Sequence, residues 1–240
     1  MLSRDNLEKF TKLQQTFVQN VVREYCQHLF LSYLYQNPNS EKLLFKGGTA
    51  LRIILKSPRF SEDLDFTGAG ITHKEIEELF TNTLANIEKT GMAVHVEEAT
   101  KTTGGYLGIA IFKAYDMKIN VQIEVSLRKG KEFKQTRTLI TNDYIPAYTL
   151  VHLALEDIID GKLKALMDRH KPRDYYDYFF LLSGDHPAAR AKENLKKILK
   201  LLQKENTNFQ TELKKFLPAS QAMHLRDFKK ILEQKIMGYL

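Results

Sequence analysis

A single cysteine, Cys26, in 240 residues excludes any disulfide within the chain. A reducing, cytoplasmic setting fits that scarcity, and the apolar helical pattern around Cys26 places the thiol in a core. No apolar run is long enough to span a bilayer, so no membrane partner is expected. The first ten residues carry Arg4, Asp5, Glu8 and Lys9 and lack the apolar centre of a secretory signal. The seven histidines are scattered without the spacing of zinc ligands. Neither an internal repeat nor a long low-complexity segment is present.

What remains is ordinary for a globular protein: 43% hydrophobic and 27% charged residues, in a length that suits one large domain or two small ones. The formal charge of +7 favours an anionic partner, nucleic acid first. Lys192, Lys196, Lys197, Lys200 and Lys204 crowd the last third, at the spacing of one solvated helix face.

The chain is organised around Phe45-Lys46-Gly47-Gly48-Thr49-Ala50-Leu51 and Arg59-Phe60-Ser61-Glu62-Asp63-Leu64-Asp65-Phe66. A strand over 43–45 should run into a glycine turn at Gly47 and Gly48, then a helix over 50–55 capped by Thr49. The turn lets a ligand approach the main chain, and the Thr49 hydroxyl can face a phosphate. Ser57-Pro58 ends the helix. A strand over 60–66 then puts Asp63 and Asp65 on one face and Leu64 and Phe66 on the other. Adjacent carboxylates repel unless a cation or proton is shared, and Mg²⁺ takes carboxylate oxygens together with substrate phosphates. An isolated Asp-x-Asp also suits a solvated surface hairpin. Joined to a glycine turn by one short helix, it points to phosphoryl or nucleotidyl transfer.

These residues resemble the signature of the AbiEii/AbiGii-type nucleotidyltransferase toxins, within the DNA polymerase β-like nucleotidyltransferase superfamily. The resemblance implies an α+β fold: a polymerase β-like mixed sheet with flanking helices, followed by a C-terminal helical bundle. It also implies a glycine turn (Gly47, Gly48, Thr49) for the nucleotide and an Asp63/Asp65 strand for metal.

Elsewhere, apolar steps predict one packing helix or two over 4–35, and Thr72-x-x-Glu75 reads as a capping box opening a helix to about Lys89, stopped at Gly91. Strands are expected over 92–97, 106–114 and 118–127. In the last, Glu124 lies opposite the apolar face, as it would on any amphipathic strand. In the resembled superfamily a later strand of this kind often supplies a third acid, which implies Glu124 as a metal ligand beside Asp63 and Asp65. Residues 130–148 read as irregular and as the domain boundary, giving a nucleotidyltransferase domain over 1–148 and a helical domain over 149–240. In the second, helices are expected over 156–169, 173–182, 188–204 after a cap at Asp185, 209–217 and 225–239.

A second constellation, Glu156 to Leu166 followed by Arg169-His170-Lys171-Pro172-Arg173-Asp174-Tyr175-Tyr176-Asp177, also resembles the toxin family, with Lys162 and Asp174 on functional positions. Lys162 would neutralise triphosphate charge, pairing with one acid of the Asp63/Asp65 set when no nucleotide is bound. Asp174 would orient Lys162 or assist the attacking group. Read alone, Lys162 suits a solvated helix position and Asp174 a helix N-terminus. Gly161 sits inside that helix at an intrinsic cost of about 1 kcal/mol against Ala. The aromatic run at 175–180 reads as core packing rather than base stacking.

The resemblance spans about 43–182. It implies a Mg²⁺-dependent enzyme moving a nucleoside monophosphate from a nucleoside triphosphate to an acceptor hydroxyl, RNA and specifically a tRNA 3′ end first. It further implies a toxin of a type IV pair with a cognate antitoxin protein. A small-molecule or protein hydroxyl as acceptor, and a nucleotide- or partner-binding module without catalysis, are the competing readings.

Overall fold

A computed structural model describes residues 1–128 and 133–240. The chain divides into two compact units, one of residues 1–56 and 60–154, the other of residues 57–59 and 155–240.

The first unit opens with α1 (Arg4–Leu13) and α2 (Val18–Leu34), which part at Gln15, a residue with φ of 50°. Of the one or two helices expected over 4–35, two form. Then follow β1 (Leu43–Lys46), α3 (Gly47–Leu55), β2 (Asp63–Gly68), α4 (His73–Glu88), β3 (Ala93–Thr102), β4 (Gly105–Ala114), β5 (Met117–Leu127), β6 (Gln135–Ile140) and β7 (Tyr148–Leu153). The capping box forms as the sequence predicts: the Thr72 side chain accepts from the Glu75 N–H, and the Glu75 carboxylate accepts from the Thr72 N–H at 2.8 Å.

All seven strands join one mixed sheet in the order β3-β4-β5-β2-β1-β7-β6. The pairs β1–β2, β3–β4, β4–β5 and β6–β7 are antiparallel; β2–β5 and β1–β7 are parallel. Leu64, Phe66, Ile123 and Val125 are buried on one face, where Phe66 meets Phe45 with ring centroids 5.4 Å apart. Helices α2 and α4 pack against each other and on the sheet, and Cys26 is fully buried within α2.

Two expectations need correction. The stretch 130–148 is not irregular throughout: 135–140 form β6, while residues 130–132 lie outside the described residues. Nor does the first unit end at 148, because β7 pairs in parallel with β1, Phe45 opposite His152. That pairing carries the unit to residue 154.

From residue 155 the described chain is helical. It comprises α5 (Leu155–Arg169), α6 (Pro172–Ser183), α7 (Lys192–Lys204), α8 (Phe209–Leu213), α9 (Ala219–Ala222) and α10 (Phe228–Met237), with short 3-10 turns between some of them. Helix α7 starts after Ala191 rather than from a cap at Asp185. It buries Leu195, Ile198 and Leu202 completely and exposes its five lysines, the solvated face its spacing predicts. Tyr175, Tyr176 and Tyr178 are buried, and Tyr176 stacks on Phe228 at 5.8 Å, so these rings serve the core.

Candidate active site

In the first unit, neighbouring strands line up the acids. Asp65 is in register with Glu124 of the parallel strand β5, and Asp63 with Gln122. Because side chains alternate along a strand, Asp63, Asp65, Gln122 and Glu124 share the face opposite the buried Leu64, Phe66 and Ile123. Gln122 Nε2 donates to Glu124 Oε1 at 2.6 Å and fixes that carboxylate beside Asp65.

The glycine turn lies against the same acid. Gly47 has φ of +88°, and a Cβ built on it would stand 1.9 Å from Asp65 Oδ2. Only hydrogen fits there, and only glycine adopts that backbone without strain. Helix α3 begins at Gly47 itself, three residues before the expected start, so the Gly47, Gly48 and Thr49 N–H groups belong to its first turn. Such groups have no acceptor within their own helix.

Thr49 has a different role from the expected one. It does not cap α3, whose N-cap is Lys46, and it is 1% exposed. Its hydroxyl donates to the Asp63 carbonyl oxygen, using its one proton. Its backbone N–H lies in the first turn of α3. Gln27 of α2 donates to the carbonyl oxygens of Ser61 at 3.0 Å and Glu62 at 2.9 Å. The approach to Asp63 is thus tied to α2 and its first carbonyl to α3.

Lys46 was not singled out from the sequence. It pairs across the β1–β2 ladder with Asp65, hence on the acidic face, and Nζ donates to Ser126 Oγ of β5 at 3.3 Å. Burial holds its pKa below the ordinary lysine value, Asp65 and Glu124 pull it up, and Arg128 pushes it down. Strand alternation would have found it: Phe45 faces the core, so Lys46 must face the acids.

The donor set Asp63, Asp65 and Glu124 is entirely carboxylate oxygen, which suits a hard divalent cation that draws further ligands from phosphate. Among the described residues, no three His, Cys, Asp or Glu side chains converge into a ready metal cage. The set therefore fits an ion that arrives with substrate oxygens.

In the second unit Lys162 of α5 is 11% exposed at its side chain and pairs with Asp177 of α6, Nζ to Oδ2 at 2.8 Å. Arg59 holds the same carboxylate with two bonds, Nε to Oδ1 at 2.7 Å and a terminal nitrogen to Oδ2 at 2.9 Å. Burial alone would raise the Asp177 pKa, but Arg59 and Lys162 together bring it below the ordinary value. Asp174 is also buried, and both its oxygens accept from Arg169 at 2.8 and 2.9 Å. Within the second unit the partner of Lys162 is thus Asp177, while Asp174 pairs with Arg169. Asp177 and Arg59 both stood in the quoted motifs, and the three-residue step from Asp174 to Asp177 was the available signal.

The fold has solved counterparts. A presumed nucleotidyltransferase of H. pylori superposes with a TM-score of 0.57 at 20% identity, covering 92% of this chain and 98% of that one. The structure of JHP933 from Helicobacter pylori superposes at 0.56 and 20% identity, covering 93% and 95%. No curated protein sequence matches. The sequence model of the family described as "Nucleotidyl transferase AbiEii toxin, Type IV TA system" matches residues 29–237, which takes in both the acidic strand and the Lys162 helix. The chain therefore belongs to the AbiEii family of nucleotidyl transferase toxins of type IV toxin–antitoxin systems.

Proposed function

We propose that the chain transfers a nucleoside monophosphate from a nucleoside triphosphate to a hydroxyl of RNA, a tRNA 3′ end first, with Mg²⁺ held by Asp63, Asp65 and Glu124. One observation carries the reading: the in-register Asp65–Glu124 pair lies beside Gly47, against which nothing larger than hydrogen fits. When bound, divalent ions supply charge for the leaving pyrophosphate and acidity for the attacking hydroxyl.

The chain's own groups do the rest. Gln122 holds Glu124 in place. The N–H groups of Gly47, Gly48 and Thr49 receive phosphate oxygens at the positive end of α3. Lys162, whose ammonium pairs with Asp177, is proposed as a fixed positive charge for the triphosphate. Asp174 acts through Arg169, fixing the junction between α5 and α6. The formal charge of +7 favours a polyanionic acceptor. Family membership supports a cognate antitoxin protein as the partner that restrains the activity.

The test is incubation with each labelled nucleoside triphosphate, Mg²⁺ and total cellular RNA. Label should enter one RNA size class with the natural chain and not with Asp65→Asn. Label in a small molecule or in protein would keep the site and replace the acceptor. A folded Asp65→Asn chain that still inhibits growth as strongly as the natural one would overturn catalysis by this site as the cause of toxicity.

A further inference from the structure

We propose that Lys46 is the resident counter-cation of the Asp65–Glu124 pair, that it competes with divalent metal for those carboxylates, and that it turns to the triphosphate when substrate arrives. This rests on the metal reading above and adds to it an internal competitor.

The geometry carries the argument. Lys46 stands directly across the ladder from Asp65, and Asp65 directly beside Glu124, so one row crosses β1, β2 and β5. To reach Ser126 on β5, the Lys46 side chain must pass over the intervening strand β2, on the face that bears Asp65. The ammonium has three donors, and Ser126 takes one. Two neighbouring carboxylates are unfavourable without a cation, and the lysine supplies one from within the chain.

A metal ion on the same oxygens meets the positive charge of that ammonium on the same face of the sheet. Metal alone is therefore disfavoured. A triphosphate reverses this, because it gives the ammonium an anionic partner. Lys46 is also the N-cap of α3, so its side chain and the phosphate-facing N–H groups spring from consecutive residues. Metal and triphosphate should then bind with positive coupling, and the enzyme holds little metal between turnovers.

The experiment titrates the full chain with Mn²⁺ alone, reading free Mn²⁺ by electron paramagnetic resonance, and separately with inorganic tripolyphosphate alone by calorimetry. Lys46→Met keeps the apolar stem and removes the charge; Lys46→Arg keeps the charge. Lys46→Met should bind Mn²⁺ about tenfold more tightly, the order expected for removing one neighbouring charge, and tripolyphosphate more weakly. Lys46→Arg should behave as the natural chain in both titrations. Mn²⁺ bound by the natural chain, lost in Asp65→Asn and unchanged or weaker in Lys46→Met would overturn this proposal and leave the metal site standing. Absence of Mn²⁺ binding in every chain, each shown folded by its thermal melt, would overturn this proposal, and its absence from the natural chain also when tripolyphosphate is added would overturn the metal reading with it. Should Lys46→Met fail to fold, Lys46→Gln takes its place with the same outcomes.

Discussion

Gly47 shows how much one missing methyl can decide. Alanine there would adopt a positive φ and drive its Cβ into Asp65. Gly47→Ala should lower stability by at least about 1–2 kcal/mol and displace the Asp65 carboxylate. Urea unfolding and Mn²⁺ binding, measured on one preparation, should both worsen. Gly161 is the opposite case. A Cβ there meets nothing within 4 Å, so space does not require the glycine. Gly161→Ala should raise stability by about 1 kcal/mol through helix propensity, read as a higher urea midpoint. If transfer falls while stability rises, that open backbone serves a substrate. Single residues were legible in the sequence where their pattern was local. Asp63 and Asp65 declare their shared face by spacing alone, whereas the Thr49 hydroxyl is consumed by a carbonyl fourteen positions away that no local pattern reveals.

Among elements, α5 and α6 are joined by a buried charge cluster in which the one Asp177 carboxylate pairs with both Arg59 and Lys162. Removing the shared acid and removing one base should therefore differ. Asp177→Asn leaves two cations facing a neutral amide and should cost about 3–5 kcal/mol, the range for breaking a buried pair. Lys162→Met leaves the Arg59–Asp177 pair intact and should cost much less while abolishing transfer. Chemical denaturation of the two variants, with nucleotidyl transfer measured alongside, separates the roles. Helices and central strands could be read ahead of the structure because their apolar periods of 3.6 and 2 are strong. Strand β6 escaped because it is an edge strand whose sequence, Gln135 to Ile140, is polar and largely exposed, with Leu139 64% exposed. Helix α2 was foreseen as packing, but its buried Glu24 was not. That acid accepts from Arg52 of α3 at 2.6 Å and from Tyr144 at 2.7 Å, partners set by tertiary packing and invisible to periodicity.

For the molecule as a whole, acid should be destabilising in two stages. His28 is 3% exposed and bonded to Tyr148 at 2.9 Å. Burial, opposed by Glu24 and aided by Lys56 and Arg52, lowers its pKa to about 4. The folded chain thus keeps His28 neutral while the unfolded chain protonates near 6.5, so its contribution is whole above pH 6.5 and lost as pH falls toward 4. That loss should reach about 2–3 kcal/mol by pH 4.5. Asp177 and Glu24, both held below the ordinary carboxylate value, add theirs only below about pH 4. Urea midpoints at pH 7 and 4.5 should therefore drop markedly for the natural chain and much less for His28→Gln. The strand order has a consequence of another kind, in the order of synthesis. Strands β1 and β2 are made first, yet each takes its second neighbour from far downstream, β5 at 117–127 and β7 at 148–153. Until those segments emerge from the ribosome, the early hairpin offers two bare edges and Asp65 has no Glu124 beside it. A growing chain is thus adhesive while it is still incomplete, and it acquires its acidic row only after more than half of its residues have been joined.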